Sequence, residues 1–206
     1  MSFKKILPEV KDALALIQIS DLSDYGKQLF SAIKSGSHIL AVAPKNAGKT
    51  EAAIVACFNK VNKQLDGSPR VLYVCSGIDE AKKIHEIMSI VARPLDVTVD
   101  LAHDKGDMVK QRNDIFDGTE IIVGNMKRIF DLYVQNGINF KLLDYLIIDG
   151  FEDVLSQGKS MEIKRLIEGF GKTQLICLAN ERNTRVEQFA SSVELDLKDV
   201  EQDLKT

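Results

Sequence analysis

The chain has 206 residues, of which 45% are hydrophobic and 28% are charged, a composition typical of a globular protein and not of a disordered or membrane-embedded chain. The formal net charge is −3 at pH 7. Dedicated nucleic-acid binders are usually basic, so any contact with RNA is expected to come from a local patch. The length suits one domain with its own hydrophobic core and is short for two.

The cysteines and the opening residues predict the cellular compartment. Cys57, Cys75 and Cys177 form an odd set without C-x-x-C spacing, which disfavours a disulfide framework or a zinc site. Residues 1–14, MSFKKILPEVKDAL, contain scattered charges and no long apolar run, so we expect neither a signal peptide nor a membrane span. The predicted location is a reducing cytoplasm.

Short apolar runs alternate with amphipathic stretches, and this alternation predicts the fold. The runs are rich in β-branched residues, which is typical of strands buried on both faces of a parallel sheet. In chain order we predict helices 8–17 and 25–34, strand 38–43, helix 49–64, strand 71–75, helix 79–91, strand 97–101, helix 108–116, strand 120–123, helix 126–136, strand 145–148, helix 161–170, strand 174–178 and helix 184–190. Strand–helix–strand repetition predicts an α/β domain in which a parallel β-sheet is flanked by helices on both faces. The charged residues 198–206 are expected to be a frayed tail.

Residues 43–50, APKNAGKT, follow an apolar strand and open a helix, which is the context of a phosphate-binding loop. Backbone N–H groups at a helix N-terminus attract phosphate oxygens. Ala43 replaces the first glycine of the general G-x-x-x-x-G-K-[ST] motif, and the alternative is a chance strand–helix turn. The pattern predicts Mg²⁺ binding by Thr50 and nucleotide binding by Lys45, Asn46, Ala47, Gly48, Lys49 and Thr50.

Together with this loop, residues 143–155, LDYLIIDGFEDVL, resemble the L-D-x-L-I-I-D-E-A-D-x-x-L segment of DEAD-box RNA helicases. The resemblance implies that Asp149 holds Mg²⁺. Gly150 replaces the glutamate that polarises the attacking water, and Glu152 replaces the last aspartate and is a possible catalytic residue. Because loss of a positioned general base costs about 10²–10⁴-fold in rate, slow hydrolysis is expected. Restoring a carboxylate at position 150 is expected to raise the rate of hydrolysis.

Other segments lie at the positions of characteristic DEAD-box segments, but several of their residues differ from those of the family. Phe3 resembles the aromatic that stacks near adenine, and Gly26 occupies the place of the adenine-reading glutamine. Residues 74–81, VCSGIDEA, and 122–129, IVGNMKRI, resemble the family's V-P-T-R-E-L-A and I-V-x-T-P-G-R-L segments. The resemblance implies RNA contacts at Ser76, Gly77 and Arg128. Residues 178–180, LAN, take the place of the S-A-T triplet that couples hydrolysis to strand separation.

The resemblance implies that residues 1–206 form a single P-loop NTPase fold of the RecA-like helicase domain 1 type, with residues 1–35 as the adenine-motif region and no second RecA-like domain. ATP and Mg²⁺ are the implied cofactors. Three functions stay open at this point. The first is an ATP-binding helicase-like domain that contacts RNA, hydrolyses ATP weakly or not at all and unwinds nothing alone. The second is a non-enzymatic adaptor that uses the fold as a docking surface for a protein or RNA. The third is an ATPase completed by a protein that supplies a second domain.

Overall fold

A parallel sheet of seven strands organises the computed structural model, which describes residues 6–63 and 68–202. The sheet has the spatial order β3-β4-β2-β5-β6-β1-β7, and every neighbouring pair is parallel. Its strands are β1 (His38–Val42), β2 (Val71–Cys75), β3 (Val99–Ala102), β4 (Ile121–Asn125), β5 (Tyr145–Asp149), β6 (Gln174–Ala179) and β7 (Leu197–Glu201). The predicted parallel α/β sheet is confirmed.

Helices connect the strands and cover both faces of the sheet. They are α1 (Pro8–Ala15), α2 (Asp24–Lys34), α3 (Lys49–Lys60), α4 (Ile78–Ala92), α5 (Met108–Phe116), α6 (Met126–Val134), α7 (Phe151–Ser156), α8 (Ser160–Phe170) and α9 (Thr184–Ser192), with a 3₁₀ turn at Arg93–Leu95. None of the helices in the described ranges is long and apolar enough to cross a lipid bilayer.

Successive strand residues point to opposite faces, so the sheet has two hydrophobic cores. Ile39 and Tyr73 belong to the core beneath α1, α2, α3 and α4, whereas Leu40 and Leu72 belong to the core beneath α6, α7, α8 and α9. Full burial of such a side chain contributes about 1.5–3 kcal/mol. The inner strands of the sheet are therefore apolar on both sides, as their continuous sequence runs predicted.

The prediction of a frayed tail from residue 198 onward is wrong for Lys198–Glu201, which belongs to β7. This strand pairs in parallel with β1 along its whole length. Val200 is buried, and its carbonyl accepts a 2.8 Å hydrogen bond from the Tyr25 hydroxyl. Arg182 forms ion pairs with Asp199 and Glu201. Residues 203–206 lie outside the described part of the chain.

Several element boundaries also differ from the predictions. Helix α7 was not predicted, helix α3 ends at Lys60 rather than at residue 64, and β3 begins two residues later than expected. In α7 the cause is length, because six residues are too few to show helical periodicity.

Candidate nucleotide-binding site

The candidate site lies at the carboxyl edge of the sheet, where neighbouring strands end side by side. The strand order β2-β5-β6-β1 brings Ser76, Asp149, Asn180 and the phosphate-binding loop to one edge. In open α/β sheets this edge is the usual place for a ligand. A cleft of about 330 Å³ opens there. Its lining residues are Lys45, Asn46, Gly48, Lys49, Thr50, Glu51, Cys75, Ser76, Glu80, Lys83, Ile84, Asp149, Gly150, Asp153 and Asn180.

The loop between β1 and α3 has the backbone that phosphate binding requires. Gly48 has a φ of +99° and is the N-cap of α3, and Asn46 has a φ of +64°. A Cβ atom on Gly48 would collide with the Ser23 hydroxyl, which donates a 2.7 Å hydrogen bond to the Ala47 carbonyl. Asn46 also has a left-handed backbone, which asparagine tolerates better than most residues.

Lys49 is folded back onto this loop and is only 6% exposed. Its ammonium group donates hydrogen bonds to the Ala43 carbonyl, to the Pro44 carbonyl at 2.8 Å and to Asn180 Oδ1 at 3.1 Å. Burial lowers the pKa of the ammonium group, and the negative charge of Asp149 acts in the opposite direction. A bound phosphate would have to draw the Lys49 side chain away from these acceptors.

Thr50 and Asp149, the two predicted Mg²⁺ ligands, are in contact although they are far apart in sequence. The Thr50 hydroxyl donates a 2.8 Å hydrogen bond to Asp149 Oδ2, and the buried Tyr73 hydroxyl donates to the same oxygen at 2.6 Å. Among the described residues, Asp149 Oδ1 accepts no hydrogen bond. Mg²⁺ prefers hard oxygen ligands and combines one or two protein oxygens with phosphate oxygens and water. The Thr50 hydroxyl and the Asp149 carboxylate fit that ion.

Glu152 is buried and does not line the cleft, although its partner Asn180 does. Glu152 is 7% exposed, and its Oε1 accepts hydrogen bonds from the Asn180 backbone N–H at 3.0 Å and from Asn180 Nδ2 at 2.6 Å. Glu152 therefore fixes the residue that contacts Lys49. Its carboxylate does not line the cleft, and a catalytic role of Glu152 stays a prediction.

Gly150 has a left-handed backbone with a φ of +72° and is the N-cap of α7. A Cβ atom added there would lie 3.1 Å from both Cβ and Oγ of Ser76 and 3.7 Å from Asp153 Oδ2. A side chain at position 150 would thus be strained and crowded. The expectation that Gly150→Glu raises hydrolysis stays a prediction, and a glutamate there would also have to displace Ser76.

A second cleft, of about 490 Å³, shares Asn46, Gly48, Thr50 and Glu51 with the first. Ile17, Gln18, Ile19, Asp21, Leu22, Ser23, Ile54 and Ile87 complete its lining, which includes the turn between α1 and α2. It offers space for a base beside the phosphate loop. Gly26 is buried behind this loop, and a Cβ atom on it would lie 3.3 Å from the Gly48 carbonyl oxygen. Phe3 lies outside the described residues.

The three predicted RNA contacts lie in different surroundings. Ser76 lines the first cleft, and Gly77 is the N-cap of α4. Arg128 is only 5% exposed and donates to the Gly106 carbonyl at 2.9 Å and to Gln111 Oε1 at 3.1 Å. In this conformation Arg128 holds the segment between β3 and α5. The RNA contacts of Ser76, Gly77 and Arg128 stay predictions.

Tyr73, Ser23 and the side-chain amide of Asn180 contribute to the site and were not predicted to do so. Tyr73 lies in an apolar strand, where its hydroxyl gives no local signal. Ser23 precedes a helix and accepts a 2.9 Å hydrogen bond from the Gly26 N–H, so its sequence context indicates only an N-cap. Their contacts with the site depend on tertiary structure.

The model of the DEAD/DEAH box helicase family matches residues 23–184, which is most of the chain. The chain belongs to this family. The DEAD-box ATP-dependent RNA helicase rde-12 of Caenorhabditis elegans is 25% identical over 161 residues, covering 74% of this chain and 17% of that protein. The DEAD-box ATP-dependent RNA helicase CshC of Bacillus cereus is 20% identical over 188 residues, covering 91% of this chain and 48% of the relative.

Solved DEAD-box structures share the fold. The crystal structure of a DEAD box protein from the hyperthermophile Methanococcus jannaschii superposes with a TM-score of 0.86 and 12% sequence identity, covering 98% of this chain and 56% of that one. The chain thus spans about half or less of the length of these DEAD-box proteins. The resemblance of the sequence to a DEAD-box RecA-like domain is confirmed.

Proposed function

We propose that this DEAD-box domain binds ATP with Mg²⁺ in the cleft beside the phosphate loop, contacts RNA, and hydrolyses ATP slowly or not at all. The observation that supports this most directly is the 2.8 Å hydrogen bond between Thr50 and Asp149 at the start of α3. Two oxygen ligands next to a loop with a left-handed Gly48 form a metal–phosphate site. The relatives' description as ATP-dependent RNA helicases agrees with this proposal.

Each part of the site has a role in the proposed complex. The backbone N–H groups at the start of α3 attract phosphate oxygens, and Lys49 neutralises phosphate charge once it leaves the Ala43 and Pro44 carbonyls. Thr50 and Asp149 hold Mg²⁺, which shields the negative charge of the phosphates when bound. The second cleft receives the base.

Slow hydrolysis follows from the groups that surround the proposed γ-phosphate position. Position 150 offers no side chain, and the cations among the described lining residues are Lys45, Lys49 and Lys83, with no arginine. An arginine that stabilises the transition state is worth about 10³–10⁵ in rate. We therefore expect turnover below the range of about 1–100 s⁻¹ typical of kinases and no unwinding by this chain alone. The cytoplasmic location stays a prediction.

The adaptor is the second candidate function. The observation that favours it is the enclosed position of Lys49, whose ammonium group donates hydrogen bonds to the Pro44 carbonyl and to Asn180 Oδ1. A domain that never binds nucleotide could keep this arrangement as part of its structure. If the domain is an adaptor, its outer surface docks a protein or RNA, and the cleft binds no nucleotide. The contact between Thr50 and Asp149 would then have no binding role.

Isothermal titration calorimetry with Mg²⁺ and ATP, ADP or GTP separates these two functions. We expect saturable binding of ATP by the natural protein and no measurable binding by Lys49→Ala. Lys141→Ala, which removes an exposed lysine outside the cleft, is the matched control and should bind like the natural protein. No binding by the natural protein would favour the adaptor, whereas equal binding heats for the natural protein and Lys49→Ala would place the nucleotide away from the phosphate loop. Comparison of ATP with GTP measures the selectivity of a base cleft in which Gly26 offers no side chain.

A further inference from the structure

Asp153 is a carboxylate in the cleft that the proposed site does not use. It lies in the first turn of α7, is exposed and lines the cleft beside Gly150. Among the described residues, its carboxylate takes part in no hydrogen bond or ion pair. Asp149, by contrast, accepts hydrogen bonds from Thr50 and Tyr73. Asp153 therefore retains an unengaged oxygen pair in the cleft of the proposed phosphate and metal site.

The backbone at Gly150 places Asp153 there. Residues three apart share a face of a helix, and the Asp153 N–H donates a 3.0 Å hydrogen bond to the Gly150 carbonyl. Asp153 Oδ2 lies 3.7 Å from the position that a Cβ atom of residue 150 would take. The absence of a side chain at Gly150 leaves this space to the Asp153 carboxylate.

The other carboxylates near the cleft are less suited to act on a water molecule there. Glu152 is buried and bound to Asn180. Glu80 is folded over the start of its own helix, with Oε2 2.5 Å from the position of a Gly77 Cβ atom. Glu51 lies in the first turn of α3 and also lines the second cleft. The geometry thus favours Asp153.

We propose that Asp153 is a catalytic residue that orients and deprotonates the water attacking ATP, an inference that rests on the proposed nucleotide binding. The water oxygen forms a bond to the γ-phosphorus, and the bond between this phosphorus and the β,γ-bridging oxygen breaks with its electron pair remaining on ADP. One water proton passes to the Asp153 carboxylate and then to solvent, and the products are ADP and inorganic phosphate. Asp153 supplies from the first turn of α7 the carboxylate that position 150 lacks.

Single-turnover hydrolysis of bound Mg²⁺–ATP by Asp153→Asn tests this role. We expect the rate constant to fall by about 10²-fold or more, as for loss of a positioned general base. Asp153→Glu, which keeps a carboxylate, should retain part of the rate. Asp79→Asn is the matched control, because Asp79 is also exposed in the first turn of a helix but does not line the cleft. Urea denaturation of each variant checks that the fold is intact.

A binding measurement distinguishes a catalytic role from a structural one without relying on turnover. Mg²⁺–ADP with aluminium fluoride mimics the transition state together with its attacking water, whereas Mg²⁺–ADP with beryllium fluoride mimics bound ATP. A residue that acts only in the transition state contributes to binding of the first complex and not of the second. We expect Asp153→Asn to weaken the aluminium fluoride complex at least about tenfold, a difference of about 1.4 kcal/mol, and to leave the beryllium fluoride complex unchanged.

These measurements distinguish failure of the proposed nucleotide binding from failure of the proposed role of Asp153. If the natural protein binds no Mg²⁺–ATP, the proposed function fails, and the role of Asp153 fails with it. If it binds ATP but hydrolyses it no faster than free ATP, or if Asp153→Asn matches the natural protein in rate and in aluminium fluoride affinity, only the role of Asp153 is overturned. Equal losses in both fluoride complexes would also overturn it, because they indicate general damage to the site.

Discussion

Gly150 and Gly158 have nearly the same backbone conformation and very different surroundings. Their φ angles are +72° and +77°, but Gly150 faces Ser76, whereas no heavy atom lies within 4 Å of a Cβ atom built on Gly158. We expect Gly158→Ala to lower the free energy of unfolding by about 1–2 kcal/mol, the cost of a left-handed alanine. Gly150→Ala should cost more, because its Cβ atom also crowds Ser76 at 3.1 Å.

Urea denaturation of the two variants measures the difference between strain and crowding. Since both substitutions give the unfolded chain the same alanine, the effects on the unfolded state cancel in the comparison. Equal losses of stability would show that Ser76 can move away from the added Cβ atom without a measurable loss of free energy. A glutamate at position 150 would then be tolerated better than the structure indicates.

The residues of the site also show what a sequence pattern can and cannot predict. Lys49 and Thr50 were predicted because the motif fixes their places at the start of a helix, and Asp149 was predicted because residues 143–155 resemble the DEAD-box segment. The hydrogen bond from Tyr73 to Asp149 joins β2 to the end of β5, and the one from Asn180 to Glu152 joins the end of β6 to α7. No local pattern encodes such contacts, since they depend on the order of strands in the sheet.

At the scale of elements, the hydrogen bond from Tyr25 to Val200 links α2 to the edge strand β7. Tyr25→Phe keeps the buried ring and leaves the Val200 carbonyl without this donor. We expect a loss of about 1–3 kcal/mol in stability, the cost of an unsatisfied buried polar group. Faster hydrogen exchange of the β7 amides would locate the effect, and Tyr133→Phe is the control, because the Tyr133 hydroxyl forms no hydrogen bond among the described residues. Unchanged exchange in β7 would contradict the prediction.

The strands differ in how well their sequences predict them. Five of the six that were predicted are short apolar runs inside the sheet, which is why their continuous hydrophobicity was informative: β1, β2, β4, β5 and β6. The sixth, β3, lies at the other edge of the sheet and is mostly half-buried. Strand β7, LKDVE, has three charged residues and only Val200 is buried. One buried apolar side chain is enough to hold this edge strand in place, because its backbone pairs with β1 along its whole length. Its charged side chains lie in solvent or form ion pairs with Arg182. Its sequence therefore resembles a tail.

At the scale of the whole molecule, ligand binding and unfolding are linked. A ligand that binds only the folded state raises the free energy of unfolding by about 2.7 kcal/mol at a concentration of 100 times its Kd. For a domain of about 200 residues, each kcal/mol raises Tm by about 2–4 °C. The proposed site therefore predicts that Mg²⁺–ATP at this concentration raises Tm by about 5–11 °C.

The same thermal measurement tests whether metal and lysine act together. We expect EDTA to remove much of the shift, because Thr50 and Asp149 hold the nucleotide through Mg²⁺, and Lys49→Ala to abolish it. Lys141→Ala should keep the full shift. Stabilisation by ATP that persists in Lys49→Ala would place the nucleotide elsewhere on the molecule. A shift that is unaffected by EDTA would instead separate phosphate binding from the contact between Thr50 and Asp149, which would leave that hydrogen bond as a purely structural link between α3 and β5.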